Sequence, residues 1–134
     1  MMCRILLILS ALAGYSGPTW ADETIKVPSG QAITYIDTVH DASGPEGLTY
    51  RFRFLAPSIA RDGGDISADA AEADMQALCD TFALPRLPAT GPRPEEVVIS
   101  LSDRLVEFGA PAPEATQYFE AYKPDDTACI WEAF

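Results

Sequence analysis

The chain is 134 residues long and carries 20 acidic against 9 basic side chains, a net charge of −11 with its one histidine neutral. Such a surface repels nucleic acid and anionic membrane, because either would be approached against the protein's own field. It favours solubility and tolerates basic partners, and the length suits one domain around one core.

The chain opens with a short positive segment, Met1 to Arg4, followed by the apolar run ILLILSALAG and then SGPTWA, which ends on small Ala21 with Thr19 two positions earlier. That is the three-part layout of a secretory signal peptide, and the run is too short to span a bilayer. A core helix is the alternative for a run of this length. ALAG resembles the entry to a lipoprotein cleavage box, but Tyr15 stands where that box needs cysteine, and Cys3 lies upstream. The expectation is cleavage after Ala21, a single domain over residues 22–134, a periplasmic location and no membrane anchor after cleavage. Cleavage removes Arg4 and none of the acids, so the mature chain is more acidic still.

Residues 24–27 read as a short strand stopped by Pro28, Ser29 and Gly30, and AITYIDTV (32–39) as a β-branched and aromatic strand. DASGPEG (41–47) is a turn. LTYRFRFL alternates cleanly, with Tyr50, Phe52 and Phe54 on one face and Thr49, Arg51 and Arg53 on the other, predicting a half-buried strand paired with the one before it. From 67 to 83 the spacing becomes helical: Ala71, Met75, Leu78, Cys79 and Phe82 form one apolar stripe, and Asp69 with Glu72 can cap its start. Pro85, Pro88, Pro92 and Pro94 then oppose helix and central strand alike. EVVISLSDRLVEFG gives strands at 97–101 and 105–108, PAPEATQYFEAYKP a second helix, and 127–134 a last strand. The predicted order is β-β-β-α-β-β-α-β, an α+β fold with an antiparallel or mixed sheet of about five to six strands and two helices on one face.

The mature chain keeps two cysteines, Cys79 and Cys129. An even pair in an oxidising compartment reads as a disulfide, with two separate buried thiols as the alternative. Their spacing is neither a C-x-x-C redox motif nor a zinc knuckle. Closing so long a loop would restrict the unfolded chain by roughly 4 kcal/mol. In the final CIWEAF, alternation places Cys129 and Trp131 on one face, so a bond to Cys79 turns that face toward the helix and packs Trp131 beside it.

Chemistry-bearing residues are few. His40 has Asp37 and Asp41 near it in sequence but enters a turn, and no nucleophile elbow accompanies it. Asp62, Asp65, Asp69, Glu72 and Asp74 cluster around two glycines, yet lack the spacing and the closing glutamate of a calcium loop, so no metal is expected. Arg51 and Arg53 share a strand face and could form a fork for an anionic ligand or partner carboxylate; pairing with acidic neighbours is the plainer role. Pro85-Arg86-Leu87-Pro88 is formally PxxP and reads as a stiff connector with a docking edge. The terminal Phe134 is reminiscent of outer-membrane barrels, but Glu132 shares its face and two helices do not fit a barrel.

DMQALCDTFALPRL, VVISLSDRLVEFG, PEATQYFEAY and CIWEAF together resemble a small family of uncharacterised exported proteins from alphaproteobacteria, over residues 48–134. The resemblance implies a bacterial periplasmic origin and a fixed Cys79 and Cys129 pair. Its activity being unknown, it implies no catalytic residue and no cofactor. The sequence thus leads to an exported, non-catalytic interaction or accessory module whose partner is another envelope protein, not nucleic acid. The competing expectation is a small enzyme whose His40 or carboxylates Asp62, Asp65 and Asp103 converge in one pocket.

Overall fold

The structure, a computed structural model, describes Gly14 and residues 25–40 and 47–133. The expected signal segment apart from Gly14, most of the 41–47 turn and Phe134 lie outside the described residues. Among the described residues, five strands form one sheet whose order follows the chain: β1 (Thr34–Val39), β2 (Thr49–Leu55), β3 (Glu96–Ser102), β4 (Gln117–Pro124) and β5 (Cys129–Glu132). β2 and β3 are parallel and every other neighbouring pair is antiparallel, so the sheet is mixed.

A parallel pair cannot be joined by a hairpin and needs a long crossover. Here the crossover carries α1 (Ala68–Leu78), which continues as a wide π turn, Cys79–Ala83, and a tight 3-10 turn, Leu84–Arg86. The apolar stripe lies as the spacing predicts: Ala71, Met75, Leu78, Cys79 and Phe82 are buried against Phe52, Phe54, Val97, Ile99 and Leu101 of the sheet. Ser67, rather than the expected Asp69 and Glu72, caps the helix, its hydroxyl accepting from the Ala70 N–H at 3.2 Å. The helical path also runs on through Pro85. The π turn, in which Leu84 N–H reaches the Cys79 carbonyl, ends the α winding before Pro85, whose ring would meet a carbonyl four residues back.

Phe82 is the hub of the core's outer half. Its ring lies 5.0 Å from Tyr35, 5.3 Å from Phe54 and 6.4 Å from Phe52, and the Arg86 guanidinium caps it at 3.6 Å. Arg86 also donates to the Phe82 carbonyl at 2.9 Å, closing the end of the helical run. At the other edge, Cys79 and Cys129 form the expected disulfide, with Cα atoms 6.0 Å apart. Asp74, fully buried in α1, ties in the segment before β1: it accepts from the Ser29 N–H at 2.9 Å, the Ser29 hydroxyl, and the Gln31 amide at 2.7 Å.

Four expectations need correction. Residues 25–27 are not a strand; Ile25 and Val27 pack against the core without joining the sheet, and Thr24 lies outside the described residues. Residues 105–108 are not a strand either, because β2 and β4 already occupy both edges of β3. The expected second helix is β4. Tyr118 and Tyr122 are four apart, which suits one helix face and one strand face equally; three aromatics and a free edge of β3 decide for strand. The fold therefore has one helix, not two, among the described residues. Finally, the last strand is shorter than expected, and Trp131 is 50% exposed, donating to Glu120 at 2.6 Å rather than packing beside the disulfide.

Candidate functional site

Strand alternation gives the sheet a second face, turned away from α1. Arg51 and Arg53 of β2, Val98, Ser100 and Ser102 of β3, and Gln117 and Phe119 of β4 share it. All seven residues of β3 are buried, so this face is covered as well as the helix side. The cover is the stretch between β3 and β4, which folds back beneath β2.

Its two ends are pinned first. Asp103 and Thr116 exchange backbone and side-chain bonds: Asp103 N–H donates to the Thr116 carbonyl at 3.0 Å, and Thr116 N–H to the Asp103 carboxylate at 2.9 Å. Arg104 pairs with the same carboxylate at 3.1 Å and, with burial opposing it, holds Asp103 below the usual carboxylate range. Arg61 donates to the Pro113 carbonyl at 2.9 Å and the Ala115 carbonyl at 3.2 Å.

Between the pins, Ala110 N–H bonds to the Glu107 carbonyl at 3.0 Å, with Gly109 at φ +79°. A tight turn with a left-handed third residue needs glycine there, and it presents Phe108 at the tip. Arg53 anchors the approach to the turn, donating to the Val106 carbonyl and pairing with Asp37 at 3.2 Å. The result is a cleft of about 300 Å³ with Arg51 and Arg53 on its floor and Phe108 and Phe119 at its walls. The Phe108 ring lies 5.9 Å from the Arg51 guanidinium. Arg51 Nε is buried and has no hydrogen-bond partner, whereas Arg53 is satisfied.

The other sequence-predicted residues are distributed as follows. His40 stacks on Tyr50 at 5.2 Å, beside the start of β2. Asp62 and Asp65 follow the end of β2, and Asp103 follows the end of its parallel neighbour β3. A seven-residue strand, about 20 Å long, therefore separates His40 from these carboxylates. Asp62 and Asp103 do share a polar depression with Arg61 and Arg104. Among the described residues, no group of three His, Cys, Asp or Glu side chains is placed to hold a metal ion. Asp74, grouped by sequence with the acidic loop, faces the other way, into the latch with Ser29 and Gln31. The PxxP segment is partly absorbed into the helical run, with Leu87 buried and Arg86 committed to Phe82.

Alternation alone identified the arginine face. It gave no sign of Phe108 as its wall, because a segment that crosses a sheet without pairing has no period to read. Glu107-Phe108-Gly109-Ala110 carries the one local hint, a glycine suited to the turn.

Fold and cleft define a small α+β domain in which one disulfide-tied helix covers a mixed five-stranded sheet and a ligand-sized cleft opens on the opposite face. The chain belongs to the family of unknown function DUF6497, whose model matches residues 10–134. No curated protein and no solved structure matches it. Among the described residues, no helix is long and apolar enough to cross a membrane.

Proposed function

We propose that this chain is an exported, non-catalytic interaction module of the bacterial periplasm, and that its binding face is the one carrying Arg51 and Arg53. The observation that carries the reading is the buried, unpartnered Arg51 Nε beside an open cleft. A guanidinium donor without an acceptor is costly in a folded chain, and an incoming acceptor relieves that cost. Export is supported by the layout of residues 1–21 and by the Cys79–Cys129 bond, which persists in an oxidising compartment. The enzyme alternative has less support, because His40 lies at the opposite end of the sheet from Asp62 and Asp103, and the Asp103 carboxylate is already engaged by Arg104 and the Thr116 N–H.

Crosslinking in the native envelope, followed by mass spectrometry, tests the reading. A photo-reactive residue at Phe108 should capture a discrete partner, and Arg51→Glu should abolish the capture. Recovery of the same background from both proteins would count decisively against it.

A further inference from the structure

We propose that the cleft takes a monocarboxylate borne on an apolar stem, with Arg51 as the carboxylate receptor and Phe108 and Phe119 clasping the stem. The inference rests on the reading that the Arg51 face is the binding face, and it names what is bound there.

Charge selects the head group. Arg53 is compensated on one side by Asp37 and on another by the Val106 carbonyl. Glu107 lines the same cleft and contributes a negative charge. Arg51 is thus the one basic group of the lining left without a partner for its Nε, and its fork geometry matches a planar carboxylate by two parallel hydrogen bonds. A phosphate ester or dicarboxylate would bring a second negative charge against Glu107 with no second cation to receive it.

The walls select the stem. Ile36, Val98, Val106, Phe108 and Phe119 supply the apolar lining, and the two phenylalanines, 52% and 49% exposed, line one opening. An apolar stem would cover both. Size sets its length: about 300 Å³, at about 30 Å³ for each water-sized group, admits about ten non-hydrogen atoms. Ser100 and Gln117 line the same site and offer further donors to the head group.

The test titrates octanoate and 3-phenylpropanoate into the oxidised mature protein and follows the Arg51 Nε–H resonance with the Phe108 and Phe119 amides by NMR. Both acids should give saturable shifts at these positions. Octanol should bind roughly tenfold more weakly, and octylammonium and inorganic phosphate should leave the Arg51 signal in place. Arg51→Gln should weaken octanoate roughly tenfold without lowering the melting temperature, and Phe108→Ala should weaken it through the stem alone. Equal binding of octanol and octanoate, or undiminished binding to Arg51→Gln, would overturn the proposal, as would no shift with either acid at millimolar concentration. If neither acid binds while envelope crosslinks still depend on Arg51, the ligand class is wrong and the binding face stands. If crosslinks and acid binding both ignore Arg51, the face itself is wrong.

Discussion

Gln76 and Cys129 are joined by a hydrogen bond from the side-chain amide to the backbone carbonyl, 2.9 Å long and within one helical turn of the disulfide. Asp80 completes the grip, accepting the Cys129 N–H at 2.8 Å and the Gln76 amide at 3.2 Å. Three side chains of one helical surface, Gln76, Cys79 and Asp80, thus hold a single residue of β5.

The disulfide is therefore not the strand's only fastening. Replacing both cysteines (Cys79→Ala with Cys129→Ala) should leave β5 docked while lowering stability by about 2–4 kcal/mol, the usual worth of a cross-link closing a long loop. Adding Gln76→Ala and Asp80→Ala, which removes the remaining helix-side bonds to residue 129, should then release the strand, seen as loss of hydrogen-exchange protection at β4 amides. Deleting residues 129–134 removes every fastening and should abolish cooperative unfolding. A truncated chain with a sharp melt by circular dichroism would contradict this.

Asp74→Ala should be among the most damaging single changes. It strips the buried Gln31 amide of its acceptor, while the exposed Ser29 donors can turn to water, at a cost of about 2 kcal/mol in urea unfolding. Hydrogen exchange should quicken first at residues 25–31. A loss below about 1 kcal/mol, the worth of an ordinary hydrogen bond, would mean that the latch contributes little.

Asp103 links the cover of the cleft to acidity. The Arg104 guanidinium keeps its carboxyl below 3.8, its value in a model peptide. Folding therefore favours the ionised form, so the contribution is full above the unfolded-state value and is lost as the pH falls through the folded one. The melting temperature should decline on acidification below about pH 4, and Asp103→Asn should be less stable at neutral pH with a shallower acid decline. Parallel acid limbs for the two proteins would show that the pair has no such role.

Tyr122 offers the opposite case. Burial chiefly, helped by the nearby charges of Glu120, Glu72 and Asp80, pushes its phenol far above the ordinary range, and its buried hydroxyl has no hydrogen-bond partner. A raised value means that stability is intact below the unfolded-state pKa of about 10 and falls as the pH climbs beyond it. Tyr122→Phe should be neutral or stabilising by up to about 1 kcal/mol at pH 7, since it removes an unpaired polar atom. It should also flatten the alkaline limb of the melting curve. Destabilisation of about 2 kcal/mol, as for a lost buried hydrogen bond, would point to a partner for the hydroxyl.

What the sequence made legible was whatever repeats within a few residues. The alternation of Phe52 and Phe54 with Arg51 and Arg53, the stripe from Ala71 to Phe82, and the apolar run of β3 each carry their own period. Tyr118 and Tyr122 carry two periods at once, and only the vacant edge of β3 selects between them. Asp74 looked like one acid among several at a helix start, because its partners Ser29 and Gln31 lie more than forty positions away. Half of the cleft was similarly visible: Arg51 and Arg53 follow from alternation, while Phe108 depends on where a non-pairing loop comes to rest.

The parallel seam between β2 and β3 has a bearing on how the chain assembles. On either side of it the pairings are local, β1 with β2 and β3 with β4 and β5, and each can form without the other. The seam itself closes only after the whole crossover has been drawn in, which makes it the entropically late step. The covalent tie from Cys79 reaches the C-terminal half, whereas Asp74 reaches the N-terminal one through hydrogen bonds alone. Oxidation can therefore lock the helix to β5 whether or not the first hairpin has docked, and the cleft, lined from both sides of the seam, is complete only once the seam has closed.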